Sequence, residues 1–369
     1  MNFSTTYKGG SEQVALSFIH ECRNFTENEF YIILRKNLED QINKNEFPEN
    51  FKFYLIKNRP VTGFWSFFKA RKIFKKLENQ IEPDCIISTG GHTYWNSSLP
   101  SIAGFNIPHY IYPESPYFGF LSFHKRLFFN FKKKIDYYFW NRADALVVQT
   151  EDIKERLEKQ FPKKPVYHVY NTVNNHFLNP VHQSEKLPAK QPAEIRLLTL
   201  SSYYPHKNLE VIREVIEELI NQHIYRVKFV LTLPEDVFLR VFGTKHWAYI
   251  FNVGPVPAKE CPGLYKEVDF MFLPTLLECF SASYAEAMMM NKPILTSDLG
   301  FAHTVCKDAA VYFDPLNAQD ITKKIVNLSQ DKSKQYKLIS RGQEIVKEFN
   351  TPEERARKYL DICKEVSGN

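Results

Sequence analysis

Two hydrophobic rhythms alternate along this chain. Some runs of four to seven residues are apolar almost throughout, such as Phe30-Tyr-Ile-Ile-Leu34. Others carry apolar side chains every third or fourth residue, as in Glu151–Phe161. The first rhythm predicts buried strands and the second amphipathic helices. In the first half, strands are predicted at Phe30–Leu34, 51–56, 85–88, 109–112, 145–149 and 166–170. Helices are predicted between them at 11–22, 67–80, 120–140 and 151–161. Strand and helix in alternation predict parallel sheets covered on both faces.

The alternation stops at Asn179–Glu194, which is rich in proline and poor in apolar residues, and then restarts at Ile195. This composition predicts a linker. The chain is therefore expected to hold a first doubly wound domain over 1–178, a linker over 179–194 and a second doubly wound domain over 195–350. A helix over 351–369 is expected to return to the first domain. Thr351-Pro352 supplies its N-cap and first-turn proline. In sheets of this class ligands sit beyond the carboxyl ends of the strands. Two such domains facing each other would hold a ligand in the cleft between them. One feature departs from the pattern: only the short, polar Met1–Tyr7 precedes Gly9-Gly10, where an apolar first strand is expected. Either that strand is minimal, or the natural start lies upstream.

The segment from Pro274 to Met288 holds the densest candidate chemistry. A strand ends at Pro274, a polar loop carries Glu278, and a helix is predicted to begin near Ser281. The free N–H groups of Ser281, Ala282 and Ser283 there suit an anion. Glu286 lies one to two turns inside the helix. A nucleotide sugar could lay its diphosphate on the helix start, with one carboxylate on sugar hydroxyls and the other on ribose. The plain alternative is a capping box, Ser283-x-x-Glu286, in which Glu286 serves only the backbone.

Absent motifs narrow the chemistry. No D-x-D occurs, which argues against a diphosphate held through a carboxylate-bound metal. Also missing are G-x-G-x-x-G, G-x-x-x-x-G-K-[ST] and H-E-x-x-H, the signatures of dinucleotide, P-loop and zinc-protease sites. The six cysteines form no C-x-x-C pair and read as reduced, buried side chains. No apolar run approaches bilayer length, and the N-terminus has no signal-peptide core, so a cytoplasmic protein is expected.

Composition adds one clue. The 369 residues are 44% hydrophobic and 24% charged, which excludes global disorder, but 15% are aromatic. Much of that surplus sits with lysine and arginine in 64–77 and 118–140. Such helices either pack in the core with a solvated basic face or lie on an anionic membrane, where a peripheral location follows. No nucleic-acid motif accompanies the charge, so nucleic acid is not expected as a partner.

The spacing of Glu278 and Glu286 resembles the E-x7-E signature of the group 1 (family 4) retaining glycosyltransferases of the GT-B fold. The neighbourhood agrees: Asn252-Val-Gly254, Leu264-Tyr265 to Asp269, Lys292-Pro-Ile-Leu-Thr-Ser297, Asp308 to Pro315, and Leu200 to Leu209. Val169-Tyr-Asn171-Thr-Val resembles the end of the family's acceptor domain. The resemblance implies two Rossmann-like domains and metal-independent transfer, without a cofactor, from an NDP-sugar to a glycan or lipid-linked acceptor. It implies donor contacts from Gly9, Gly10, Ser202, Lys207, Gly254, Phe280 and the 281–283 turn, with Lys207 on the diphosphate. Glu278 would serve the sugar and Glu286 the ribose. Ser202 stands where the family often has Arg, and His303 where it often has Glu. For a family His after the fourth strand, His109 and Glu114 are the nearest candidates. His92, after Gly90-Gly91, would touch acceptor or donor, or be a solvated turn residue. An NDP-sugar epimerase or hydrolase on the same fold, or a non-catalytic sugar-nucleotide-binding partner of another transferase, is the alternative.

Overall fold

Two β/α units make up the computed structural model, which describes residues 1–6, 10–56, 64–180 and 185–368, and within them all side chains except those of 64–67. The first unit comprises Met1–Pro113, Phe120–Thr172 and Asn350–Asn369; the second comprises Glu114–Gly119 and Val173–Phe349.

In the first unit, β1 (Phe30–Leu34) pairs in parallel with β2 (Phe51–Leu55). Strands β3 (Ile86–Ser88), β4 (Ser101–Gly104), β5 (Ala145–Val148) and β6 (Val166–His168) form a second parallel sheet in that order. Met1–Phe3 joins the two sheets. The Asn2 amide donates to Ile87 O at 2.7 Å, while the Phe3 amide donates to Ile33 O at 3.0 Å. Where an apolar strand was expected, Asn2 forms a parallel bridge with Ile33. Its polar side chain is used, because Asn2 Nδ2 donates to Ser88 Oγ at 3.2 Å. Helices α1 (Gly10–Glu21), α2 (Lys36–Glu39), α3 (Phe64–Ile81), α4 (Phe123–Trp140) and α5 (Glu151–Gln160) belong to this unit. Thr150 caps α5, accepting from the Ile153 amide at 3.4 Å.

The second unit carries a six-stranded parallel sheet in the order β12-β11-β10-β7-β8-β9. Its strands are β7 (Ile195–Thr199), β8 (Val227–Leu231), β9 (Ile250–Asn252), β10 (Phe270–Leu273), β11 (Ile294–Ser297) and β12 (Ala310–Phe313). Its helices are α6 (Asn175–Leu178), α7 (Val211–Asn221), α8 (Glu235–Phe242), α9 (Cys261–Lys266), α10 (Ala282–Met289), α11 (Gly300–Cys306), α12 (Ala318–Gln330) and α13 (Lys332–Val346). The spacing of Val211, Ile212, Val215, Ile216 and Leu219 gives α7 one apolar stripe, and all five are buried against the sheet. Each such side chain contributes about 1.5–3 kcal/mol.

The last helix, α14 (Pro352–Ser367), groups with the first unit. A capping box between Thr351 and Glu354 starts it. Its Ala356, Tyr359, Leu360, Ile362 and Cys363 enter the core formed with α1 and β1. Arg355 is buried and donates to Asn171 Oδ1 at 2.9 Å and Ser17 Oγ at 3.0 Å.

The sequence pattern and the structure part at four places. The strand expected over 109–112 is a 3-10 turn, Pro108–Tyr110, followed by buried Ile111 and Tyr112; the sheet uses Ser101–Gly104 instead. Gly104 is required there, because a Cβ would lie 2.3 Å from Thr89 O. Helix α2 is not among the predicted helices. The helix expected from 120 begins at Phe123, after a 3-10 turn over Pro116–Phe120. The proline-rich stretch does not run free: the chain enters the second unit at Val173, and the Leu187 amide donates to Glu267 Oε2 at 3.0 Å.

Candidate active site

Strands β7 and β10 are neighbours in space although β8 and β9 separate them in sequence. The strand order reverses there, which is where doubly wound sheets bind ligands, beyond the carboxyl ends. The chain leaving β7 carries Lys207 and the chain leaving β10 carries Glu278. The two side chains form an ion pair. Their side chains are 13% and 12% exposed, so the pair is largely shielded yet open to an incoming group.

Both loops are held by their own backbone. His206 O accepts from the Leu276 amide at 2.7 Å and lies 3.1 Å from Thr275 Oγ1. Thr275 is fully buried, and its hydroxyl also lies 3.2 Å from Glu278 Oε1. Asn208 adopts the left-handed conformation, φ 53°, which asparagine tolerates, and its Nδ2 donates to Pro315 O at 2.9 Å. Burial beside the Lys207 ammonium pushes the His206 imidazole down to about 3. His206 is therefore neutral at ordinary pH and Lys207 carries the charge of the turn.

Helix α10 begins beside this pair. Ser281 is its N-cap residue and makes no side-chain capping bond. The first N–H groups of a helix have no partner within it. Phe280 is buried, with its ring edge-on to Phe349 at 5.6 Å. Ser283 Oγ donates to Leu200 O at 3.2 Å, tying α10 to the end of β7. The capping-box alternative for Glu286 does not occur: Glu286 Oε2 accepts from Tyr265 OH at 3.2 Å. Glu286 is half-buried, and desolvation pushes its carboxyl up to about 7.

The other predicted residues are dispersed. Ser202 is exposed, in the loop after β7. Gly254, φ 73°, follows β9, two strands out from β7. His303 lies on α11, with Nε2 2.6 Å from Asp298 Oδ1 and its ring stacked on Tyr312. Gly10 starts α1, and Gly9 lies outside the described residues. His109 is in the first unit, stacked on Phe129 of α4 at 5.2 Å. Glu114 is exposed, on the short segment that groups with the second unit.

His92 is not a solvated turn residue. It is 2% exposed, with Nε2 3.1 Å from Asp136 Oδ1 and its ring stacked on Phe139. Burial pushes its imidazole below the usual range. Asp136 also accepts from Tyr110 OH at 2.8 Å and from Lys132.

Sequence reasoning passed over several residues that shape the pair. Thr275 lies within Pro274–Met288 and Tyr265 within Leu264–Asp269, but no spacing marks either as a partner of the two carboxylates. Ser115 Oγ donates to Leu276 O at 2.6 Å, and Tyr117 sets its ring edge-on to His206 at 6.0 Å. No local signal joins 115–117 to 206 and 276, because the contact is made by topology.

Two doubly wound units, with a cation and a carboxylate meeting at the switch point of the second, define a group-transfer enzyme of the GT-B class. Two family models match the chain: "Glycosyltransferase Family 4" over 8–177 and "Glycosyl transferases group 1" over 194–331. The chain belongs to the group 1, family 4 glycosyltransferases and is itself a glycosyltransferase of the GT-B fold. It is 22% identical to the O-antigen chain mannosyltransferase RfbU of Salmonella typhimurium over 280 residues, 74% of this chain and 72% of that one. Among solved structures it is similar to sucrose-phosphate synthase from Thermosynechococcus elongatus, with TM-score 0.74, 13% identity and 98% and 94% of the two chains covered. It is also similar to Anabaena Alr3699/HepE in complex with UDP and glucose, with TM-score 0.66, 13% identity and 96% and 95% covered.

Proposed function

We propose that this glycosyltransferase moves a hexose from a nucleoside-diphosphate sugar to a glycan or lipid-linked acceptor, with retention at the anomeric carbon and without a metal. The observation that carries the reading is the Lys207–Glu278 pair at the switch point, next to the start of α10. A diphosphate brought to this place competes with Glu278 for the Lys207 ammonium and takes the N–H groups of α10. Glu278, kept in place by Thr275, then accepts from sugar hydroxyls and faces the positive charge that develops at the anomeric carbon. Glu286 accepts from the ribose. An acceptor hydroxyl attacks the anomeric carbon from the face that the diphosphate leaves; the new C–O bond forms as the old one breaks. The hydroxyl proton passes to the departing phosphate oxygen. Ser202 leaves Lys207 and the helix dipole to hold the diphosphate.

The mannosyltransferase relative supports a hexosyl donor and an O-antigen-type polysaccharide as product. The HepE structure, with UDP and glucose, supports a nucleotide sugar as donor. An anionic membrane surface belongs to this reading, since a lipid-linked acceptor is presented there. The test is donor binding and transfer across UDP-, GDP- and ADP-hexoses, with the product anomer read by NMR. Donor binding without transfer to any acceptor pool would sink the enzymatic reading and favour a sugar-nucleotide-binding partner. Turnover of donor without acceptor would favour an epimerase or hydrolase.

A further inference from the structure

The two basic-aromatic stretches differ in how they face the first unit. On α3, Ala70 and Phe74 are buried, and Phe74 stacks on Trp95 at 4.4 Å. Two large apolar side chains of α3, Phe68 and Ile73, are exposed, whereas α4 exposes many more. The sole acid of α4, Asp136, is 1% exposed and bound inward to His92, Tyr110 and Lys132. Lys133 also reaches inward, donating to Tyr110 O at 3.1 Å. The outward side is apolar: Phe123 is 74% exposed, Leu127 59%, Phe128 64%, Phe131 64%, Ile135 43% and Tyr138 52%. At 3.6 residues per turn these six lie within one arc of roughly 140°, shared with the exposed His124 and Lys134, along a helix about 27 Å long. Phe139 and Trp140 are buried on the inner side, so the outer apolar side chains are not needed to hold the helix, and a contiguous exposed patch of this kind marks an interaction site.

We propose that the outer face of α4 docks on an anionic membrane surface. Charge selects this occupant. Lys125, Arg126 and Lys134 are exposed along the stripe, and none has a carboxylate partner among the described residues. Apolar side chains that insert, flanked by cations that meet lipid phosphates, are what an interfacial helix requires. A second copy of the same face would bring like charges together along both edges, which opposes self-association. Among the described residues no helix is long and apolar enough to cross a membrane, so the helix lies on the surface. The buried bonds of Asp136 hold α4 from the inner side, which fixes the orientation of the first unit on the bilayer. The proposal extends the reading of a membrane-presented acceptor. Vesicle binding is read without turnover, so either idea can fail while the other stands.

The test is flotation of the full chain with phosphatidylcholine vesicles, with and without phosphatidylglycerol, at physiological and high salt. Wild type is expected to float with the anionic vesicles and to lose binding as salt rises. Phe123→Ser with Leu127→Ser and Phe131→Ser should lower vesicle partition by at least about tenfold. Lys125→Glu with Arg126→Glu and Lys134→Glu should lower it on the order of a hundredfold. All six side chains are exposed, with Arg126 making one surface bond to Leu121 O, so circular dichroism should not change and the unfolding midpoint should move little. Equal reversal of Lys69 and Lys72 on α3 should have the smaller effect. No flotation of wild type at any salt, or flotation of the serine variant like wild type, overturns the proposal. So does a wild-type dimer that the serine changes dissociate, because the occupant is then a second copy.

Discussion

Lys207 and Glu278 meet as an ion pair across strands β7 and β10, although 71 residues separate them in the chain. Removing one partner leaves the other charge shielded and unpaired, so each alanine variant should lose about 1–3 kcal/mol of stability. Under the proposed mechanism, Lys207→Ala and Glu278→Ala should each lower kcat/KM by about 10²–10³. Because the groups act together, the double variant should cost far less than the sum. Steady-state transfer and donor titration of the four proteins check this. Additive losses would mean that the two residues serve separate steps.

Glu286 supplies a pH signature. Burial pushes its carboxyl from 4.5 up to about 7. Over that interval the folded protein keeps a proton that the unfolded chain has released. Stability therefore falls as pH rises from about 4.5 to about 7, and stays lower above. Glu286→Gln should match wild type at acid pH and exceed it by about 1–3 kcal/mol above neutrality; its neutral amide oxygen can still accept from Tyr265. Donor affinity should run the opposite way. Wild type should bind several-fold more tightly as the carboxylate forms, and the Gln variant should show no such rise. Thermal unfolding and calorimetric donor binding across this range measure both, and a pH-independent wild type would refute the role.

Thr275 offers one hydroxyl proton to three acceptors, His206 O, Leu277 O and Glu278 Oε1, within 3.1–3.3 Å. It joins the Lys207 turn to the Glu278 loop. Thr275→Val keeps the shape and removes that link, so a loss of about 1–2 kcal/mol is expected. The proposed positioning role adds a fall in kcat larger than any rise in donor KM. Thr275→Ser should restore both; a serine variant as impaired as valine would argue for packing alone.

Helix α14 is required by the unit that contains Met1. Arg355→Met leaves Asn171 and Ser17 without their partner and should destabilise the first unit by about 2–4 kcal/mol. Deleting residues 351–369 should remove the protected amides of β1 and β3 while those of β7 and β10 keep their protection. Hydrogen exchange followed by mass spectrometry separates the two units. Equal loss in both would show that the helix serves the whole chain.

Much of the fold was legible because long apolar runs leave few choices. Phe30–Leu34 and the stripe of α7 could hardly be read otherwise. Strand β4 escaped because Ser-Ile-Ala-Gly is short and small, and its pairing is set by the close approach to Thr89. The aromatic run 109–112 misled because burial, not strand pairing, explains its hydrophobicity. In the candidate site, Glu278 and Glu286 could be found by spacing, and Lys207 only through resemblance. Their pairing, and the burial of His92 against Asp136, depend on strand order and helix rotation. A one-dimensional pattern shows that α4 is amphipathic, but the direction of each face follows from where Asp136 finds its partners.

The placement of α14 also sets the order in which the protein can be finished. The first unit draws on both ends of the chain, whereas the second is one nearly continuous segment plus the short stretch 114–119, already made by then. On a ribosome, the second unit can close while the first still lacks its final helix. Until then the half-built first unit exposes the apolar pocket for Tyr359 and Leu360. Synthesis order and completion order of the two units are therefore inverted: the unit begun before the other is secured after it.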